Sequence, residues 1–169
     1  LFSGKEASRL MKGPTHGGLA LLRHIARFLI GHKRIVQKFE WQHRQSSLVQ
    51  FVDSDHAGCL RNRKSTSAGV CMLGKPMIKA YSSTQTVTAM SSGESEFYSG
   101  IKGAKEVLGI QSFAKDYGVG LAAKLGIDSS AAKAMMERRG LGKMRHLDVQ
   151  FLCIQEVVHS KRISTFKAK

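Results

Sequence analysis

The hydrophobic positions fall into runs of two periods. Along residues 17–30, GGLALLRHIARFLI, the apolar residues Leu22, Ile25, Ala26 and Leu29 recur at helical spacing with Arg23 and Arg27 between them. That spacing predicts an amphipathic helix. Pro14 precedes it, and Gly31 stands where a C-cap is expected. Residues 42–47 are polar, and a boundary is expected there. From residue 48 the period changes to two. LVQFVD alternates as a strand whose last residue is Asp53. A polar, basic turn, CLRNRKSTS, leads to AGVCML, a second expected strand. Gly74, Lys75 and Pro76 mark a tight turn before a third, MIKAYSS. Residues 48–83 therefore read as an antiparallel meander.

The helical period returns in SSGESEFYSGIKGAKEVLGI, where Phe97, Ile101, Ala104 and Leu108 form one apolar stripe. Ser91 or Ser92 can cap this helix, and Glu94 lies in the first turn, where a carboxylate suits the helix dipole. Gly100 and Gly103 either weaken the helix or let a neighbour approach closely. AKLGID is a short apolar run ending in Asp128, followed by a short helix in SSAAKAMMERR. Leu147, Phe151, Ile154 and Val158 predict a helix over 145–159, and RISTFKAK a final strand.

The order from residue 48 is three strands, helix, strand, helix, helix, strand. A strand, a long helix and another strand form a crossover, which implies a parallel pairing. If the strands ending in Asp53 and Asp128 are parallel neighbours, those ends lie side by side, about 4.8 Å apart. Glu96, one turn into the long helix, can face the same edge. Carboxylates that converge without a cationic partner raise one another's pKa. A hard divalent cation removes that cost and prefers oxygen ligands. The bland alternative is an Asp serving each turn and a Glu serving the helix dipole.

Composition sharpens the choice. The chain has 169 residues, a hydrophobic share of 42%, and 27 Lys and Arg against 12 Asp and Glu, for a net charge of +15. That length suits one domain, or one domain with part of another, and the apolar share excludes a disordered basic tail. No apolar run approaches the roughly 20 residues of a membrane span. No secretory signal is visible, and the absence of an initiator Met suggests a piece of a longer polypeptide. Cys59, Cys71 and Cys153 make no disulfide framework, so a reducing compartment is expected. The charge is uneven. Residues 1–47 carry nine basic and two acidic residues, and residues 129–169 nine and three. The middle segment, 48–128, holds nine basic residues and seven of the acids. Two basic flanks around a near-balanced middle that keeps most of the acids read in one of two ways. They are either a soluble surface that happens to be cationic, or a frame that binds a polyanion around an acidic site, since Lys and Arg supply phosphate contacts.

Several motifs now stand in order. They are Asp53, Asp55, Ala57 and Gly58; then Arg63, Lys64, Ser65, Thr66 and Ser67; then Gln85, Val87, Ser91, Ser92, Glu94, Glu96 and Phe97. IDSSAAKAM and MRHLDVQFLCIQE follow. Together these resemble the ribonuclease H domain of copia-type LTR retrotransposon Pol polyproteins. RLMKGPTHGGLALLRHIARFLIGH resembles the end of the reverse transcriptase and connecting region that precedes it. The resemblance covers nearly the whole chain. His56 departs from it, where the family usually has Trp, and so does Ala68 ahead of Gly69.

The resemblance implies a ribonuclease H-like α/β fold. Its mixed five-stranded sheet would be flanked by helices, preceded by a short helical extension, and without the family's C-terminal helix. Residues 1–47 would be the reverse transcriptase tail and 48–169 a C-terminally truncated ribonuclease H domain. It assigns metal ligation and catalysis to Asp53, Glu96 and Asp128, with Asp55 and Glu94 turned away. A fourth carboxylate, in a helix after the last strand, would lie past Lys169. The implied reaction is hydrolysis of the RNA strand of an RNA–DNA hybrid with two Mg2+ ions, for which Mn2+ can substitute. Ser54 and Ser129, each beside a ligand, are candidates for the 2′-hydroxyl contact that marks RNA. Arg63, Lys64, Lys143 and Arg145 are candidate phosphate contacts, or simply solvated side chains. The partners implied are the hybrid and the rest of the polyprotein, with no membrane and no small-molecule substrate. The setting implied is a virus-like particle in the cytoplasm, or the nucleus. The rival reading is a nucleic-acid-binding remnant of a decayed element, without catalysis.

Other chemistries find no support. No Cys pair has zinc-ligand spacing, no Gly-rich phosphate loop precedes Lys-Ser/Thr, and Gly93-Glu94-Ser95-Glu96-Phe97 lacks the last Gly of a nucleophile elbow. His146 is expected at the surface, and Met135 and Met136 as core filling.

Overall fold

The computed structural model of the chain describes residues 1–59, 61–140, 142 and 152–168. By internal contacts it divides into two compact units, Leu1–Phe39 and Glu40–Lys169. The first holds α1 (Phe2–Ser8) and α2 (His16–Gly31). Thr15 caps α2, its hydroxyl accepting from Gly18 N at 3.1 Å. Gly31 turns out to be the last helical residue, and the cap is His32, whose N–H reaches Leu29 O and Phe28 O. The His32 ring stacks on Phe28 with centroids 4.3 Å apart, and this contact closes the helix without a left-handed glycine. α1 was not foreseen. It is short, contains Gly4, has no side-chain cap and buries no residue, so no periodicity announces it.

The second unit begins at Glu40 because residues 40–46 bond to the hairpin turn at 73–75. Gln42 Nε2 donates to Leu73 O at 2.8 Å, Lys75 N donates to Gln42 Oε1, and Lys75 Nζ meets Glu40 at 3.2 Å. The strands are β1 (Ser47–Ser54), β2 (Thr66–Met72), β3 (Met77–Thr84), β4 (Ala122–Ile127) and β5 (Ile163–Lys167). The helices are α3 (Ser92–Asp116), α4 (Ser130–Glu137) and α5 (Cys153–His159). The strands form one mixed sheet in the order β3-β2-β1-β4-β5. β1–β2 and β2–β3 are antiparallel; β1–β4 and β4–β5 are parallel. The expected meander and crossover are both present. Of the helix expected over 145–159, residues 145–151 lie outside the described residues.

α3 crosses over from β3 to β4 and seals one face of the sheet. Phe97, Ile101, Ala104 and Val107 are buried against Leu48, Val52, Leu125 and Ile127. Gly100 and Gly103 do let neighbours approach: a Cβ on Gly103 would collide with Val52 Cγ1, and one on Gly100 with the thioether of Met136. Met136 is fully buried and Met135 packs beside the core, as expected of filling residues. No described helix is long and apolar enough to cross a membrane.

Candidate metal centre

The sheet register sets up the site. β1 and β4 run parallel with Val52 opposite Ile127, so the next residues, Asp53 and Asp128, emerge at the same edge. α3 starts at that edge. Ser91 caps it, its hydroxyl accepting from Glu94 N at 3.2 Å. The buried Glu94 carboxylate accepts from Met90 N and from the Tyr98 hydroxyl, both at 2.8 Å, which fixes the chain as it enters the helix. One turn in, Glu96 faces the two aspartates. Asp53, Glu96 and Asp128 each offer a carboxylate oxygen, and these atoms all lie within 4.8 Å of one another.

The cluster carries a strong electrostatic imbalance. Glu96 is only 5% exposed, and its Oε2 is buried with no hydrogen-bond partner. Its Oε1 accepts from Ser54 N at 3.2 Å. Burial, then the charges of Asp128 and Asp53, push the Glu96 pKa up from 4.5 to about 7, with the Ser54 bond pulling the other way. Among the described residues no Lys or Arg forms an ion pair with any of the three. Asp53 and Asp128 are exposed, so the cluster opens to solvent on one side. An unpartnered buried carboxylate oxygen facing two open carboxylates is a donor set that suits a hard divalent cation.

The two acidic pairs of the motifs separate cleanly. Asp55 is turned onto the backbone: its Oδ1 accepts from Thr66 N at 2.5 Å, while its own N–H bonds Thr66 O, closing the β1–β2 connection. Glu94 is held as described above. Ser54 Oγ donates to Asp55 O at 2.9 Å, and its main service to the cluster is the backbone N–H. Ser129 caps α4, accepting from Ala132 N at 3.2 Å. Arg63 is exposed on the loop between β1 and β2, at a left-handed φ of 54°. Lys64 Nζ instead bonds Thr86 O at 2.5 Å, tying that loop to the segment before α3. Lys143, Arg145 and His146 lie outside the described residues.

Ser99 was not singled out by sequence. It is buried in α3, and its hydroxyl donates to Asp53 O at 2.8 Å, bonding the helix to the Asp53 end of β1. Its only signal was a polar residue, one turn beyond Glu96, on the apolar side of the helix.

No protein-family model matches the chain, and no curated protein matches it either. Solved structures do. LC11-RNase H1, isolated from compost by a metagenomic approach, superposes with a TM-score of 0.55 at 12% identity, over 73% of this chain and 85% of that one. The N-terminal RNase H domain of a Mycobacterium tuberculosis protein, solved as a fusion with maltose-binding protein, gives 0.52 at 14% identity, over 73% and 83%. LC11-RNase H1 in complex with an RNA/DNA hybrid gives 0.50 at 12% identity, over 72% and 85%. The chain therefore has the ribonuclease H-like fold.

Proposed function

We propose that this chain hydrolyses the RNA strand of RNA–DNA hybrids in a divalent-metal-dependent reaction, as the ribonuclease H domain of a copia-type LTR retrotransposon polyprotein. Residues 1–47 are then the tail of the reverse transcriptase. The observation that carries the reading is the carboxylate cluster at the ends of two parallel strands, with Glu96 Oε2 unpartnered at its base. Asp53, Glu96 and Asp128 would hold two Mg2+ or Mn2+ ions. Ions held there would supply activation of a water and stabilisation of the leaving oxygen of the scissile phosphodiester.

The chain's own residues prepare that chemistry. Burial and the charges of Asp128 and Asp53 hold the Glu96 proton up to about pH 7, so the cluster would accept a cation more readily above that pH than below it. Asp53 and Asp128, exposed at the sheet edge, are open to a phosphate approaching from solvent. The net charge of +15 attracts the polyanion whatever its sequence. Arg63, exposed on its loop, would contact the sugar-phosphate backbone of the hybrid.

The test is cleavage of an end-labelled hybrid by the chain extended past residue 169 and by its Asp53→Asn variant, with Mg2+ and with chelator. The expected result is RNA-strand cutting by the unsubstituted chain with Mg2+ alone. Equal cutting by both proteins sinks the site assignment. Hybrid binding with no cutting by either favours the rival reading of a binding module, which the high positive charge alone would support.

A further inference from the structure

Two of the motifs have no part in ligation: Ser65-Thr66-Ser67 where the chain enters β2, and Gln85 just after β3. The structure brings them together beneath the carboxylates. Gln85 is 7% exposed, and Ser65, Ser67, Ser95 and Ser99 are fully or nearly fully buried. A buried polar layer of this kind persists only where its groups bond one another.

Gln85 is its hub. Its Nε2 lies 2.8 Å from Ser95 O, 3.0 Å from Ser67 Oγ and 3.4 Å from Ser54 Oγ, while its backbone N–H donates to Ser65 O at 2.8 Å. Ser95 O is a pure acceptor, so the amide must present its nitrogen there, and this fixes its orientation. Oε1 is then left buried without a partner. A side chain of the same length without an amide would avoid that orphaned acceptor but strand Ser95 O and Ser67 Oγ, so the orphaned Oε1 by itself gives no account of a glutamine here.

The partners explain it better. Ser54 directly follows Asp53, and Ser95 directly precedes Glu96. The two hydrogens of the Gln85 amide go to Ser95 O on α3 and Ser67 Oγ on β2, with Ser54 Oγ a distant third acceptor. Ser67 stands opposite Ser54 in the β1–β2 ladder, so the amide joins the first turn of α3 to the sheet at the end of β1, the two places that carry facing carboxylates. Beside this bridge run the two bonds already described, Ser54 N to Glu96 Oε1 and Ser99 Oγ to Asp53 O.

We infer that Gln85 is a positioning residue of the carboxylate cluster: its amide locks the Asp53 end of β1 to the Glu96 turn of α3 and so sets the cluster's affinity for a divalent cation. This rests on the reading of the cluster as a metal site. Outer partners of metal ligands typically govern affinity by 10–100-fold.

The experiment uses the 169-residue chain. Mn2+ affinity, thermal midpoint and hydrogen exchange of the Ser54 amide are compared in the unsubstituted chain and in Gln85→Met. The expected result is a folded variant with about tenfold weaker Mn2+ binding. Its Ser54 exchange should be faster relative to a core amide such as that of Leu125. Unchanged Mn2+ affinity in Gln85→Met overturns the inference. If the unsubstituted chain binds no Mn2+, the metal reading fails on its own. Ser54 exchange then decides the positioning role, and an unchanged rate overturns it. Should Gln85→Met not fold, Gln85→Asn keeps the amide, shortens its reach by one methylene, and is read in the same two ways.

Discussion

The backbone N–H of Ser54 is shared between Oδ1 of Asp53 at 2.8 Å and Oε1 of Glu96 at 3.2 Å, so one donor holds two carboxylates of the cluster side by side. The bond to Glu96 is the one influence lowering the Glu96 pKa, against burial and the charges of Asp128 and Asp53. It is outweighed, since Glu96 stands at about 7 rather than 4.5.

The pH dependence of stability follows. In the folded chain Glu96 keeps its proton to higher pH than in the unfolded chain. Its contribution is therefore fully favourable below about 4.5 and is lost as pH rises through about 7. The loss is on the order of 2 kcal/mol, the shift setting an upper limit of about 3 kcal/mol. Metal-free chain should be more stable in urea near pH 5.5 than near pH 8.5 on this account. Mg2+ should restore most of the difference at the higher pH, and chelator should remove it again. Glu96→Gln should raise metal-free stability near pH 8.5 by about 2 kcal/mol and abolish the response to Mg2+. Urea unfolding midpoints check both.

Asp53→Asn should lower the Glu96 pKa, because one of the two charges that raise it is gone. A carbon-13 titration of the Glu96 carboxyl reads this directly. The same variant should lose hybrid cleavage by about two orders of magnitude or more while remaining folded. A Glu96 titration indistinguishable from that of the unsubstituted chain would mean that the two carboxylates do not face each other.

Much of this arrangement was legible in the sequence, for local reasons. Asp53 and Asp128 each end an apolar strand run, and a long helix between two strands implies a parallel pair somewhere in the sheet. That the pair is β1 and β4, which brings the two ends together, comes from the structure. Glu96 follows a Ser cap by one turn, which sets its direction. What escaped notice depends on contacts distant in sequence. Nothing near Gln85 announces bonds to Ser67 and Ser95, and nothing near Ser99 announces its bond to Asp53 O. Asp55 and Glu94 could be set aside only by resemblance; the structure supplies the physical reason, since each is occupied by a backbone N–H.

Helix α3 reaches the site by lying close on the sheet at Gly103. Gly103→Ala would gain about 1 kcal/mol of helix propensity but would drive its Cβ into Val52 Cγ1. Val52 is β-branched and buried beneath the helix, so strand and helix must separate, at a cost of about 1–3 kcal/mol. The clash should win, with a net destabilisation of about 1–2 kcal/mol in urea unfolding. The separation would also lengthen the Ser54–Glu96 bond, so Mn2+ affinity should fall with stability. A stabilised Gly103→Ala would refute this packing.

Arg63 and Lys64 are neighbours in sequence with separable roles. Lys64 Nζ is committed to Thr86 O, so Lys64→Ala should loosen the loop and cost about 1 kcal/mol of stability. Arg63 is exposed and sits at a φ of 54°, a conformation that costs a non-glycine residue about 1–2 kcal/mol. Arg63→Gly relieves that strain but adds about 0.4–1 kcal/mol of unfolded-chain entropy. The two nearly cancel, and stability should change by no more than about 1 kcal/mol. The lost guanidinium should still weaken hybrid binding and lower the slope of log affinity against log salt by about 1. Fluorescence anisotropy of a labelled hybrid across a salt series measures that slope. A slope equal to that of the unsubstituted chain would remove Arg63 from the nucleic-acid contact surface.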